Sequence, residues 1–178
     1  MQPDPRTPAR FAATSIALAF ATSVHATEPL TASDSAKIDQ IATLSSQAAS
    51  RMFGKSAAFC ASQKLPENVQ LVSRLDTVVA TVSAGTRDAL IEMAQSDPAF
   101  LATVPLPTNQ ELAAADRQGD ELLRVAHASP AQSCAKLDAT LQNRSAADLK
   151  ALLLKTFRAQ AATRAAHCAA TPKPADCK

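Results

Sequence analysis

Ser145-Ala-Ala-Asp-Leu-Lys-Ala-Leu-Leu-Leu-Lys-Thr-Phe-Arg-Ala-Gln-Ala-Ala-Thr-Arg-Ala-Ala-His-Cys168 carries the longest uninterrupted helical signal of the 178-residue chain. Its first four residues form a start signal: the Ser145 hydroxyl can accept from the amide three residues on, and the Asp148 carboxylate faces the positive end of the helix dipole. Leu149, Leu152, Leu153 and Phe157 then recur at three and four residues, followed more weakly by Ala161, Ala165 and Cys168. Lys150, Lys155, Arg158 and Arg164 fall mainly between them, and no Gly or Pro intervenes before Pro172. A helix of about 24 residues is roughly 36 Å long, enough to run the length of a small domain. The stretch is the expected spine of the fold.

Working outward from it, the same period governs the rest of the chain. Thr31-Ala-Ser-Asp34 opens a first helix with Ile38, Ile41, Ala42, Ala48, Ala49 and Met52 on one arc. Phe53, Ala57 and Cys60 keep the spacing across Gly54, so this helix is expected to continue to about Gln63 with Cys60 turned inward. Leu65-Pro66-Glu67 restarts a helix, with proline in its first turn. The valines that follow tempt a strand reading, but Leu71, Leu75, Val78 and Val82 fit a helix, and the adjacent apolar pairs 71/72 and 78/79 break a period of two. Gly85 is expected to end or break that helix before another from Thr86 to Gln95. Asp97-Pro98 starts a short turn bearing Phe100, Leu101 and Val104, and Pro105-Leu-Pro107 is a stiff connector.

Thr108-Asn-Gln-Glu111 is a capping box ahead of a stripe of Leu112, Ala115, Gly119, Leu122, Leu123 and Ala126. A glycine in mid-stripe usually marks a close neighbouring helix rather than a ligand gap. Ser129-Pro-Ala-Gln132 reads as another capping box, whose helix places Cys134, Leu137 and Leu141 on one face. Asn143-Arg144 then turns the chain into the spine. With three glycines and no strand pattern, the expected class is all-α: a disulfide-tied bundle of five or six helices forming one domain, residues 27–178.

Residues 1–26 read as a signal peptide. Arg6 and Arg10 precede an apolar run from Phe11 to Val24, with Val24-His25-Ala26 before the expected cleavage site, so the mature chain would start at Thr27. The expected location is periplasmic or secreted, with no membrane span in the mature chain. All four cysteines (Cys60, Cys134, Cys168, Cys177) follow that point, an even count that implies two disulfides in an oxidising compartment. If the helix after Pro130 and the spine form an antiparallel hairpin, Cys134 and Cys168 lie too far apart to join. That geometry favours Cys60 with Cys168 and Cys134 with Cys177. The competing pairing joins Cys60 to Cys134 and Cys168 to Cys177.

Chemistry is sparse. The serines lack a nucleophile elbow, and the cysteines are expected to be oxidised. Asp116, Asp120 and Glu121 lie close together, but interleaved with Arg117 and Arg124 they read as a solvated acidic face rather than a catalytic pair. Met52, Met93, His127 and His167 are available to a haem or metal, yet no ligand spacing joins them. The methionines fit as core fillers and the histidines as helix C-terminal residues. No cofactor, metal or catalytic residue is therefore expected, and the protein is read as a non-enzyme.

Removing Asp4, Arg6 and Arg10 leaves 16 basic and 15 acidic residues, a balance that does not predict a nucleic-acid partner. The charge is nonetheless segregated. Residues 144–178 hold seven Lys or Arg against Asp148 and Asp176, a balance of +5, while residues 27–143 balance at −4. A basic outer face on the spine, with Lys150, Lys155, Arg158 and Arg164, is the candidate partner-binding surface; its bland reading is a solvated face neutralised by acidic neighbours. The expected function is a protein-binding module, of the inhibitor or immunity type, that occludes a toxin or envelope hydrolase. The alternatives are a bundle that binds a small apolar ligand or haem, and an envelope assembly or secretion accessory.

Overall fold

A computed structural model describes residues 29–63, 69–142 and 145–170. Among the described residues the fold is all-α, with six helices: α1 (Ala32–Ser62), α2 (Leu71–Ser96), α3 (Pro98–Thr103), α4 (Asn109–Ala128), α5 (Pro130–Leu141) and α6 (Ala146–Ala170). The expected signal peptide, the Leu65-Pro66-Glu67 start, the Asn143-Arg144 turn and the tail with Cys177 lie outside the described residues.

α1 starts where its sequence says it should. The Asp34 amide donates to Thr31 Oγ1 at 3.1 Å, and the Asp34 carboxylate accepts from the Thr31 amide at 3.3 Å, so two orphan donors of the first turn are satisfied. The helix runs through Gly54 to Ser62. α2 likewise runs unbroken through Gly85, so the separate helix expected from Thr86 is instead its second half. One internal glycine costs about 1 kcal/mol, too little to end a 26-residue helix that packs along its whole length.

The α1/α2 pair is antiparallel and is the true centre of the molecule. At one end Ile38 and Ile41 pack with Leu90, Met93 and Ala94, with Phe100 and Leu101 of α3 and with Leu154 of α6. At the other, Ala57 and Cys60 pack with Leu71 and Leu75, and with Cys134, Leu137 and Leu141 of α5. The core is aliphatic: Ile38, Leu71, Leu90 and Leu101 are its largest fully buried hydrocarbon side chains, each worth about 1.5–3 kcal/mol relative to exposure.

α3 carries the chain over the first end. Its Asp97 cap accepts from the Phe100 amide at 3.2 Å, and Lys37 Nζ donates to the Leu101 carbonyl at 2.7 Å. α4 therefore runs beside the later part of α1 in the same direction. Arg51 meets Asp116, and Lys55 meets Asp120, each pair 65 residues apart in sequence. Gly119 lies at the crossing, consistent with close helix approach as its reason. α2 repeats the relation with the later helices: Arg74 pairs with Asp138 and Glu92 with Arg158, separations of 64 and 66 residues. The chain is thus two antiparallel hairpins laid side by side in the same sense.

Three expectations are corrected by this arrangement. The Ser129 cap does not form: no side-chain hydrogen bond caps α5, and Ser133 Oγ instead donates to the Val125 carbonyl at 3.3 Å. The α5/α6 hairpin does not form either, because both helices follow the direction of α2, α5 against its first half and α6 against its second. Consequently Cys60 is bonded to Cys134, with Cα atoms 5.6 Å apart, and not to Cys168. Phe157 contacts Phe100 at the far end of the bundle, ring centroids 5.5 Å apart, and Cys168 lies beyond it, about 16 Å further by helical rise. Cys60 is at the opposite end. Cys168 is itself disulfide-bonded.

The spine, finally, is not central. α6 has a single buried residue, Leu154, which the expected stripe omitted. Leu149, Leu153, Phe157 and Ala161 are half-buried beside it, whereas Leu152 and Ala165 face solvent.

Candidate functional site

The outer face of α6 follows from which side the helix turns inward. Lys150, Leu154 and Arg158 sit on one side at four-residue spacing, so the two cations flank the buried leucine and reach α2. Lys150 Nζ lies 2.9 Å from one Glu92 carboxylate oxygen, and an Arg158 guanidinium nitrogen lies 2.8 Å from the other. The hydrogen bond from Lys150, helped by the charges of Lys150 and Arg158, holds the Glu92 carboxyl below its ordinary value. Two of the four candidate partner-binding cations are thus engaged within the fold.

The other two, Lys155 and Arg164, stand at opposite edges of the face turned away from Leu154. Between them run Leu152, Thr156, Ala159 and Thr163, a strip of small and apolar residues. Leu152 is 50% exposed. The threonine hydroxyls are turned back onto their own helix, Thr156 donating to the Leu152 carbonyl and Thr163 to the Ala159 carbonyl. This leaves mainly hydrocarbon outward along the centre of the strip. Sequence reasoning had named the cations and missed the strip. Its signal was present: Leu152, Ala159 and Thr163 lie opposite Leu154 on a helical projection, but Leu154 had not been recognised as the inward residue.

Three of the four carboxylates of α4 are dispersed in ion pairs, and the fourth, Glu111, belongs to the Thr108 capping box. Asp116 faces Arg51 at 2.9 Å, Asp120 faces Lys55, and Glu121 faces Arg124 at 2.6 Å. Glu121 is held below its ordinary value first by the hydrogen bond from Arg124, and Lys55 is raised first by its hydrogen bond to Asp120. Each of these three has a cation to itself, an arrangement suited to a solvated face and not to sharing a proton. The soft and imidazole side chains are also apart. Met93 is in the core, Met52 lines a groove between α1 and α4, His127 lies on the Phe59 ring with centroids 4.1 Å apart, and His167 is exposed on α6. Among the described residues, no three His, Cys, Asp or Glu side chains converge as metal ligands would.

A second site was not anticipated. α1, α4 and α5 enclose a cavity of about 140 Å³ lined by Phe53, Leu122, Val125, Leu137 and, in its wall, Ser56. Ser56 is 3% exposed, and its hydroxyl has no hydrogen-bond partner among the described residues. Leaving such a group unsatisfied costs about 1–3 kcal/mol. The sequence signal was the spacing of Phe53, Ser56 and Cys60, which puts a serine on the inward arc.

Compared with protein-family models, curated proteins and solved structures, the chain matches none. No described helix is long and apolar enough to cross a membrane.

Proposed function

We propose that the chain is an envelope or secreted protein-binding module, of the inhibitor or immunity type, that docks through the outer face of α6. The observation that carries this reading is the ratio of helix to burial: α6 has 25 residues and only Leu154 buried. Most of the stability of a protein helix comes from packing one face on the rest of the molecule. A long helix that packs so little has surface to offer a partner, and alanines at 151, 159, 162, 165 and 166 allow that partner to approach closely. The complementary surface is an apolar groove with an acidic rim, which would receive Leu152 and Ala159 along its floor and meet Lys155 and Arg164 at its edges.

An oxidising compartment is supported by the Cys60–Cys134 bridge and by the signal pattern of residues 1–26. A non-catalytic role is supported by the separate pairing of Asp116, Asp120 and Glu121. Two variants of the mature protein test the reading against a partner captured from the envelope fraction. Leu152→Asp is expected to weaken binding at least tenfold. Lys155→Glu with Arg164→Glu is expected to slow association and to abolish its salt dependence. A partner held equally well by both variants overturns the reading. A concentration-dependent dimer that Leu152→Asp dissolves would assign the face to a second copy of this chain and overturn it as well.

A further inference from the structure

Among the described residues, Ser56 Oγ is the buried side-chain polar atom left without a hydrogen-bond partner, although a helical hydroxyl can satisfy itself on its own backbone. Thr77, Ser96, Thr140, Thr156 and Thr163 each donate to the carbonyl four residues earlier, the usual way for a helical hydroxyl to satisfy itself. All five lie on exposed positions, where water was an alternative. Ser56, where water is largely excluded, makes no such bond. Its hydroxyl belongs to the wall of the cavity between α1, α4 and α5.

The remainder of that wall defines what could fill it. Phe53, Leu122, Val125, Ala126 and Leu137 supply hydrocarbon, the Ser133 and Thr140 hydroxyls of the lining donate to the Val125 and Lys136 carbonyls, and the Cys60 sulfur is committed to the disulfide. Leu122 and Val125 are 39% and 41% exposed, so the cavity opens to solvent beside them. The charged residue of the lining, Lys136, is exposed, and the buried part of the wall offers no cation. An anion would therefore lose its hydration without compensation. The volume, about 140 Å³, is close to that of an apolar cavity of roughly 150 Å³ that admits benzene.

We propose that this cavity binds a small neutral ring compound carrying one hydroxyl or carbonyl group, of the size of phenol. The ring lies against Phe53, Leu122 and Leu137, and the polar group exchanges a hydrogen bond with Ser56 Oγ. The site is separate from the outer face of α6 and does not depend on it.

Phenol, toluene and benzoate, titrated into the disulfide-bonded protein and followed by amide NMR shifts, test the assignment. Phenol at millimolar concentration is expected to shift amides around Phe53, Ser56, Val125, Leu137 and Thr140, and benzoate is not. Ser56→Ala is expected to weaken phenol about threefold to tenfold, the worth of one hydrogen bond, and to leave toluene unchanged. Val125→Trp, at the mouth and outside the core, is expected to abolish both. No shift of these amides with phenol, equal phenol affinity in Ser56→Ala, or benzoate bound as tightly as phenol would each overturn the proposal.

Discussion

A Cβ on Gly119 would overlap the carbonyl oxygen of Arg51 and lie 3.1 Å from that of Met52. The obstacle is the backbone of α1, which cannot turn aside as a side chain can, so α4 approaches α1 at this crossing to a distance that only glycine permits. The neighbouring ion pairs Arg51–Asp116 and Lys55–Asp120 bracket the contact and fix its register. Gly119→Ala is therefore expected to push the two helices apart and to destabilise the protein by about 2–4 kcal/mol, as overpacking of a tight contact does at its upper range. Gly54 provides the control, since nothing lies within 4 Å of its Cβ position. Gly54→Ala is expected to stabilise by about 0.5–1 kcal/mol through helix propensity. Chemical denaturation of the two variants measures both signs; equal effects would refute the close approach.

The Cys60–Cys134 bond joins residues 74 apart in sequence. Closing a loop of that length in the unfolded chain is worth roughly 4 kcal/mol by chain entropy, and both sulfurs lie in the core cluster at the α5 end. Replacing both cysteines by alanine is expected to lower stability by about that amount. The loss should fall on α5, whose other anchors are Leu137, Leu141 and the Arg74–Asp138 pair. Non-reducing peptide mapping is expected to recover Cys60 joined to Cys134. A peptide joining Cys60 to Cys168 would contradict the side-by-side hairpin arrangement.

What the sequence conveyed was local. The boxes at Thr31, Thr108 and Ser145 were legible because cap and partner are three residues apart, and all three form. Apolar period identified α1, α2, α4 and α5 for the same reason. Direction was not local. Whether α5 and α6 fold back on each other or travel together depends on where their apolar residues find partners, and those partners, Leu75 for α5 and Leu90 for α6, sit far away in sequence on one long helix. Gly85 misled similarly, because a helix break and a notch for another helix look alike until Ala146 and Leu149 are seen against it. At the candidate site, positive charge was legible by counting. Which cations remain free of Glu92 was not, since Glu92 belongs to α2.

The signal reading makes an expectation about the purified protein. Arg6 and Arg10 before the apolar run and Val24-His25-Ala26 at its end are the pattern of a signal peptide that would be cleaved before Thr27. N-terminal sequencing of protein recovered from the envelope fraction is expected to begin there. That start leaves Thr31 and Asp34 intact to cap α1. Protein retained in the cytoplasm with Met1 in place would refute the reading.

Acid is expected to loosen the ends of α4 and α6 before the rest. The Glu111 carboxyl is held below its ordinary 4.5 by hydrogen bonds from the Thr108 amide and hydroxyl. Asp148 is held below its ordinary 3.8 by the Ser145 hydroxyl and amide, and Glu92 below 4.5 by Lys150 and then Arg158. Each group has a lower value folded than unfolded, so its contribution is complete above the ordinary carboxylate range. It is lost as pH falls through the folded value. Stability should accordingly be flat from about pH 7 to pH 5 with respect to these groups and decline below about pH 4. Two of the three act on α6, Asp148 at its first turn and Glu92 through Lys150 and Arg158, and that helix has one fully buried residue, Leu154, beside half-buried Leu153, Phe157 and Ala161. Amide hydrogen exchange at about pH 3 should therefore quicken in α6 more than in α1 or in the Leu71–Leu90 part of α2. Asp148→Asn should reproduce part of that quickening at neutral pH, where the wild-type helix is still protected. Uniform acid-induced exchange across all six helices would show that these three carboxylates do not hold α6 in place.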